Sequence, residues 1–282
     1  MSATCRYLSV CLLLAACARA PAPQPAPVPP LPPPGSLWHA LALGDASVGL
    51  AVGAAQCEGG VLLIGLHDSE QTARLAAQQA WPARDARLVW LLNGQRRALA
   101  FTVNGDTYRA DPNRIFTPAG VAATLAYYGK DAWPARQALA RFAGQLLATA
   151  GVARASAVVA LHNNHAGGYS AASYLAGGKL AAAARAVHLG EPAAPDNFFY
   201  LTDARLFAAL SAQGFNVVLQ DNARVPDDGS LSVLAARLGL VYVNVEARQG
   251  EVDAQRRMLI ALRPLLRGAH CPGAGERAPA GG

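Results

Sequence analysis

The sequence predicts a three-layer α/β/α sandwich around a mixed, largely parallel central sheet, and three observations carry that reading. Short apolar or β-branched runs alternate with longer Ala-rich amphipathic stretches between about residues 60 and 266, the order that builds a sheet with helices on both faces. No internal repeat and no second Pro-rich break interrupt residues 35–267, so one domain is the economical organisation. Of the 282 residues 52% are apolar and only 15% charged, enough to bury a sizeable core and too apolar for disorder along the whole length.

The runs expected to be buried strands are Gly60 to Leu66, Leu88 to Leu92, Ala157 to Leu161, Asn216 to Gln220 and Val241 to Val245, each bounded by turn formers. Helices are expected over 71–80, 118–128, 134–150, 203–213 and 250–266, where apolar residues recur at helical spacing. Two Asn-Gly dipeptides, at 93–94 and 104–105, flank the run Ala98 to Val103 and suggest hairpin turns, so part of the sheet should be antiparallel.

The N-terminus reads as an address. Arg6 precedes the apolar run Leu8 to Ala16, the length of a secretory signal's core, and Leu14-Ala15-Ala16-Cys17 resembles the lipobox of bacterial lipoproteins, with Cys17 as the lipidated residue. With Ala18 after the Cys, that resemblance implies an outer-membrane anchor facing the periplasm. Residues 1–16 are then the signal peptide and 17–34 the lipidated Cys and a linker. Nine of the fourteen residues from Pro21 to Pro34 are Pro, an extended spacer. The folded domain is 35–267, followed by a Gly/Ala/Pro tail over 268–282. The leader and Cys17 account for three of the five Cys; export permits the remaining pair, Cys57 and Cys271, to form a disulfide, with two free thiols as the alternative. The net charge of +6 is mild and the basic residues are scattered, which argues against a nucleic-acid partner. Membrane contact is expected through the lipid anchor alone.

Three strand candidates are followed or ended by an ionisable residue: His67 after Leu66, His162 after Leu161 and Glu246 after Val245. Ligands of open α/β sheets bind beyond the carboxyl ends of strands, so these three can converge on one crevice. Glu70 lies three residues after His67, a spacing that lets both side chains reach one metal from a turn. Two His and one Glu would leave a fourth zinc position open, as in a catalytic site. His165 is a rival ligand on a loop-like stretch.

In order along the chain, His67-Asp68-Ser69-Glu70, Asp111-Pro112-Asn113-Arg114, Ala160-Leu161-His162 and Val245-Glu246 resemble the motifs of the zinc carboxypeptidase superfamily, over roughly residues 57–266. The resemblance implies one zinc ion held by His67, Glu70 and His162, a substrate carboxylate held by Asn113 and Arg114, and Glu246 as general base. It implies an oxyanion-stabilising Arg as well, Arg96 or Arg97. Asp228-Gly229-Ser230 resembles the Gly-Ser turn ahead of the Glu strand. The phenolic Tyr of many carboxypeptidases has no obvious counterpart before that turn, and Arg224 is the candidate for its place. Asn113-Arg114 has a plainer reading, a structural turn with Arg114 paired to Asp111. The H-x-x-E is also similar to that of the succinylglutamate desuccinylase and aspartoacylase branch. The expected activity is therefore amide hydrolysis in a carboxylate-bearing peptide or murein fragment. The alternatives are deacylation of N-acyl amino acids and non-catalytic binding of cell-wall peptides.

Overall fold

The computed structural model describes residues 35–53, 60–82 and 85–266. Cys17, the leader and spacer, Cys57, Cys271 and the tail lie outside the described residues, as does the proposed disulfide. Nine strands form one sheet in the order β1-β2-β4-β3-β7-β11-β9-β10-β8. They are β1 (Leu37–Leu43), β2 (Ala46–Val52), β3 (Val61–Gly65), β4 (Ala86–Leu92), β7 (Ala157–Asn164), β8 (Ala184–His188), β9 (Phe198–Leu201), β10 (Asn216–Gln220) and β11 (Tyr242–Arg248). The centre, β4-β3-β7-β11, is parallel, and only β2, β9 and β10 run against the common direction. The remaining strands, β5 (Leu99–Val103) and β6 (Asp106–Ala110), pair only with each other.

Alternation in the central strands divides the core into two layers. Leu62 and Ile64 of β3, Val158 and Ala160 of β7 and Tyr242 of β11 face α2 (Pro118–Tyr127), α3 (Trp133–Ala150) and α5 (Leu231–Arg237). Their neighbours Leu63, Val159, Leu161, Val243 and Val245 face α1 (Gln71–Ala80), α4 (Ala204–Ala212) and α6 (Val252–Leu266). A strand exposes successive residues to opposite faces, so a strand buried on both reads as a continuous apolar run. Among the described residues no helix is long and apolar enough to cross a membrane.

The five expected helices match α1, α2, α3, α4 and α6 within two residues at each end. The antiparallel part of the sheet is real but arises elsewhere than expected. Asn104-Gly105 does close a hairpin, with φ of 54° and 83° at the two turn residues, as a type I′ turn demands. That hairpin, β5-β6, is a separate ribbon lying on the α2/α3 layer, with Leu99, Phe101, Tyr108 and Ala110 in its core. Asn93-Gly94 leads the chain off β4 instead of folding it back. The antiparallel partners in the sheet are β1-β2-β4 at one side and β11-β9 and β10-β8 at the other.

Candidate metal centre

His67 follows the end of β3, where Gly65 is required because a Cβ there would sit 2.4 Å from the Trp90 ring. A tight turn, with the Glu70 amide donating to the His67 carbonyl at 3.1 Å, brings Glu70 under His67. Glu70 is also the N-cap of α1, yet its side chain caps nothing and is left free for the cluster. His162 lies inside β7 and not just past its end: β7 continues to Asn164, and His162 is the direct neighbour of Glu246 on the adjacent parallel strand. Where the strand continues beyond its apolar run, its polar side chains bond to neighbouring elements. Asn163 receives the Ala73 amide and donates to Gln255 Oε1, and Asn164 donates to the Asp196 carbonyl.

Glu70 Oε1 is 3.0 Å from His67 Nδ1, Glu70 Oε2 is 3.0 Å from His162 Nδ1, and the two Nδ1 atoms are 3.2 Å apart. All three residues are buried, and one ligand-capable atom from each lies within 4.8 Å of the others, a group that could hold a metal ion. His67 Nε2 lies 2.8 Å from Asp111 Oδ1. An ionised carboxylate only accepts, so Nε2 carries the proton and Nδ1 turns its other valence to the cluster, the usual setting of a metal-ligating His. Burial alone would lower the pKa of His67, but the charges of Glu70 and Asp111 outweigh it and raise it to about 9. Burial would raise Glu70 and Asp111, and their histidine partners hold both well below the ordinary carboxylate range. His162 has only one carboxylate, and burial lowers it. The proton on His67 thus sits where a cation would: without it the three side chains offer two ring nitrogens and one carboxylate with a single net negative charge, a donor set that fits a divalent metal.

The cluster forms the floor of a cavity of about 530 Å³ that also contains Glu246, Arg97, Asn113, Arg114, His165 and Asp228. Glu246 is buried on β11, where burial and then the Glu70 charge push its pKa up to about 8, against the 3.0 Å hydrogen bond from Asn244 Nδ2. Arg97 lines the cavity and donates to Glu70 Oε1 at 2.5 Å, whereas Arg96 does not line it. His165 is exposed at the cavity edge and is not a member of the ligand cluster. Arg114 is not paired to Asp111 as the plainer reading had it; its Nη1 lies 2.8 Å from Asp228 Oδ2. Asn113 Nδ2 stands 3.4 Å from His162 Nε2, and its Oδ1 accepts the Leu231 amide.

Arg224 is corrected: it is exposed and does not line the cavity, because its own turn, with the amide bonded to the Asp221 carbonyl, ends before Val225 and Pro226 reach the wall. The wall carries phenols after all, from Tyr169, Tyr174, Tyr200 and Tyr242. Asp68 is the other residue that the motif reading passed over. Its Oδ1 binds Arg74, and its Oδ2 accepts the amides of Asn93 and Gln95 at 2.8 and 2.7 Å. This clamps the loop, left-handed at Gly94 and Gln95, that delivers Arg97 to Glu70.

No protein-family model matches the sequence, and no curated protein matches it. Among solved structures, the murein-tripeptide amidase of Escherichia coli O157 aligns at 17% identity over 83% of this chain and 92% of its own, with a TM-score of 0.42. A succinylglutamate desuccinylase/aspartoacylase of Rhodobacter sphaeroides aligns at 17% identity over 81% of this chain and 64% of its own, with a TM-score of 0.41. An aspartoacylase family protein of Mesorhizobium loti aligns at 15% identity, covering 80% and 66%, with a TM-score of 0.39.

Proposed function

We propose that the chain is a zinc-dependent hydrolase of an amide bond in a short peptide with a free carboxylate. The observation that carries this reading is the convergence of His67, Glu70 and His162 on the floor of a cavity whose walls also hold Glu246, Arg97 and Arg114. When bound by those three residues, zinc supplies Lewis acidity, lowering the pKa of water, polarising a carbonyl and favouring ionised Glu246. Glu246 takes a proton from the attacking water and returns it to the departing amine, a role suited to a carboxyl whose pKa has been raised toward neutrality. Asn244 holds Glu246 by one oxygen and leaves the other for the proton. Arg97, whose guanidinium lies against Glu70, donates to the oxygen that becomes anionic in the transition state. Arg114 and Asn113 receive the substrate carboxylate.

The leader and the Pro-rich spacer support an exported lipoprotein anchored at Cys17 in the outer membrane, where murein peptides are the available amides. Cys17→Ser should move the protein from the membrane to the soluble periplasmic fraction, and unchanged fractionation counts against the anchor. For the activity, the purified chain should bind one zinc ion and cleave short peptides with a free C-terminal carboxylate in a chelator-sensitive reaction. A protein that binds no metal at stoichiometric zinc would defeat the reading.

A further inference from the structure

Glu70 stands at a position that helices ordinarily use for another purpose. As the N-cap of α1 its side chain would accept an amide of the first turn, that of the second or third helical residue. It does not, because its two oxygens are turned to the cluster, Oε1 to His67 Nδ1 and Oε2 to His162 Nδ1 at 3.0 Å each. The third residue of α1 is Ala73, which is fully buried, so its amide needs an acceptor from elsewhere. Asn163 provides one from β7: the Ala73 amide donates to its Oδ1 at 2.9 Å.

Asn163 is itself held from behind. Gln255 of α6 is fully buried, its Oε1 accepts from Asn163 Nδ2 at 2.9 Å, and its Nε2 donates to the carbonyls of His162 and Val245 at 2.9 and 3.0 Å. Asn163 Nδ2 also donates to the Ala247 carbonyl at 3.2 Å. All the amide hydrogens of the pair thus go to acceptors, and neither side chain can turn round without setting oxygen against oxygen. Around them the layer between the sheet, α1 and α6 is apolar, with Ala73, Leu161, Val245, Met258 and Leu259. Apolar side chains of the same shape would fill that space with little loss of stability, so the use of two amides lies in the directions they fix.

We propose that Asn163 is a positioning residue of the metal centre: it caps α1 in place of Glu70 and so leaves the Glu70 carboxylate to the cluster, while Gln255 holds its amide in the capping direction. His162 directly precedes Asn163 on β7, and Ala247, whose carbonyl Asn163 binds, directly follows Glu246 on β11. One side chain therefore ties together the elements that carry two of the ligands and the proposed base. The inference rests on the reading of His67, Glu70 and His162 as a metal site, and it adds a residue that acts through them.

The test is the zinc affinity of the full chain, measured by competition with a chelator, with Tm read alongside. Asn163→Ala leaves the Ala73 amide to Glu70, whose carboxylate should turn from the histidines to its own helix, and zinc binding should weaken about 10- to 100-fold. Asn163→Asp returns an acceptor to that amide and should recover most of the loss. Leu259→Ala, which empties buried volume one turn from Gln255 on α6, should lower Tm and leave zinc affinity unchanged. Wild-type affinity in Asn163→Ala overturns the proposal, as does an Asn163→Asp chain that binds no better than Asn163→Ala, or a Leu259→Ala chain that loses as much affinity. Should Asn163→Ala fail to fold, Gln255→Met decides: it frees the Asn163 amide to turn, so affinity should fall, and an unchanged value overturns the proposal. A wild-type chain that binds no zinc defeats the metal site itself. Turnover is not read here, so a chain that behaves as expected yet hydrolyses nothing loses only the hydrolase reading.

Discussion

On the floor of the cavity, His67, Glu70, His162 and Glu246 are buried and held by strand ends and one tight turn, whereas at the rim Arg97, Arg114 and Asp228 keep 56%, 40% and 47% of their side chains exposed. The floor charges act on one another through little solvent, so His67 is driven up to about 9 and Glu246 to about 8. Rim charges are screened, and an exposed pair contributes only about 0–1 kcal/mol. On the proposed function, then, floor residues should change the chemistry by orders of magnitude, while rim residues should choose among substrates.

The largest test of that division is Glu246→Gln. The isosteric amide keeps the hydrogen-bonding shape but cannot take a proton, so kcat should fall by about 10² to 10⁴ with zinc content unchanged. Metal analysis beside steady-state rates checks both. Loss of zinc would make Glu246 a ligand and redraw the floor.

The same residue gives a test without substrate or metal. In the chelated protein the folded state holds the Glu246 proton up to a pH of about 8, while the unfolded chain releases it near the ordinary glutamate value of 4.5. Between those values the folded state binds more protons than the unfolded one, so this contribution to stability is complete below the lower pKa and falls away as pH rises through the upper. Glu246→Gln lacks that loss. Its stability relative to wild type should grow from pH 5 to pH 8 by on the order of 4 kcal/mol, read by denaturant titration. A difference that does not vary with pH would mean Glu246 is already ionised in the folded, metal-free protein.

Asp111 joins floor to rim, since it fixes the His67 tautomer and its turn leads to Arg114. Asp111→Ala should weaken zinc affinity by about 10- to 100-fold without removing a ligand, as measured by competition with a chelator. An unchanged affinity would show that His67 is oriented by its own packing.

The contrast also explains what the sequence made legible. Floor residues follow long apolar runs in β3, β7 and β11, and helices α1 and α6 pack at regular spacing against one face of those strands. Periodicity therefore locates both elements and crevice. Rim residues depend on contacts distant in sequence, which no local pattern encodes: Asp68 clamping residues 93 and 95, Gly229 lying on Gly120, Asp228 pairing with Arg114. For that reason Arg224 is misplaced by alignment to a motif and the Tyr200 and Tyr242 phenols go unseen. Strands β1, β2, β8 and β9 and the seven-residue α5 were not anticipated either. They are short or half exposed, or mix polar residues into the apolar alternation, and it is pairing with the central strands that makes them regular.

The smallest expected effect belongs to the rim itself. Arg114→Ala removes a charge-assisted donor from a half-exposed position, so screening limits the loss of kcat/KM on peptides with a free carboxylate to about tenfold. Amidated counterparts never had that contact and should be cleaved nearly as well by the variant as by wild type. The variant also frees Asp228 from its partner, which leaves an uncompensated negative charge at the cavity mouth, and so the loss should shrink in high salt as that charge is screened. An equal loss on both substrate types would identify Arg114 as a support for the 112–114 turn. Rim and floor would then no longer divide recognition from chemistry.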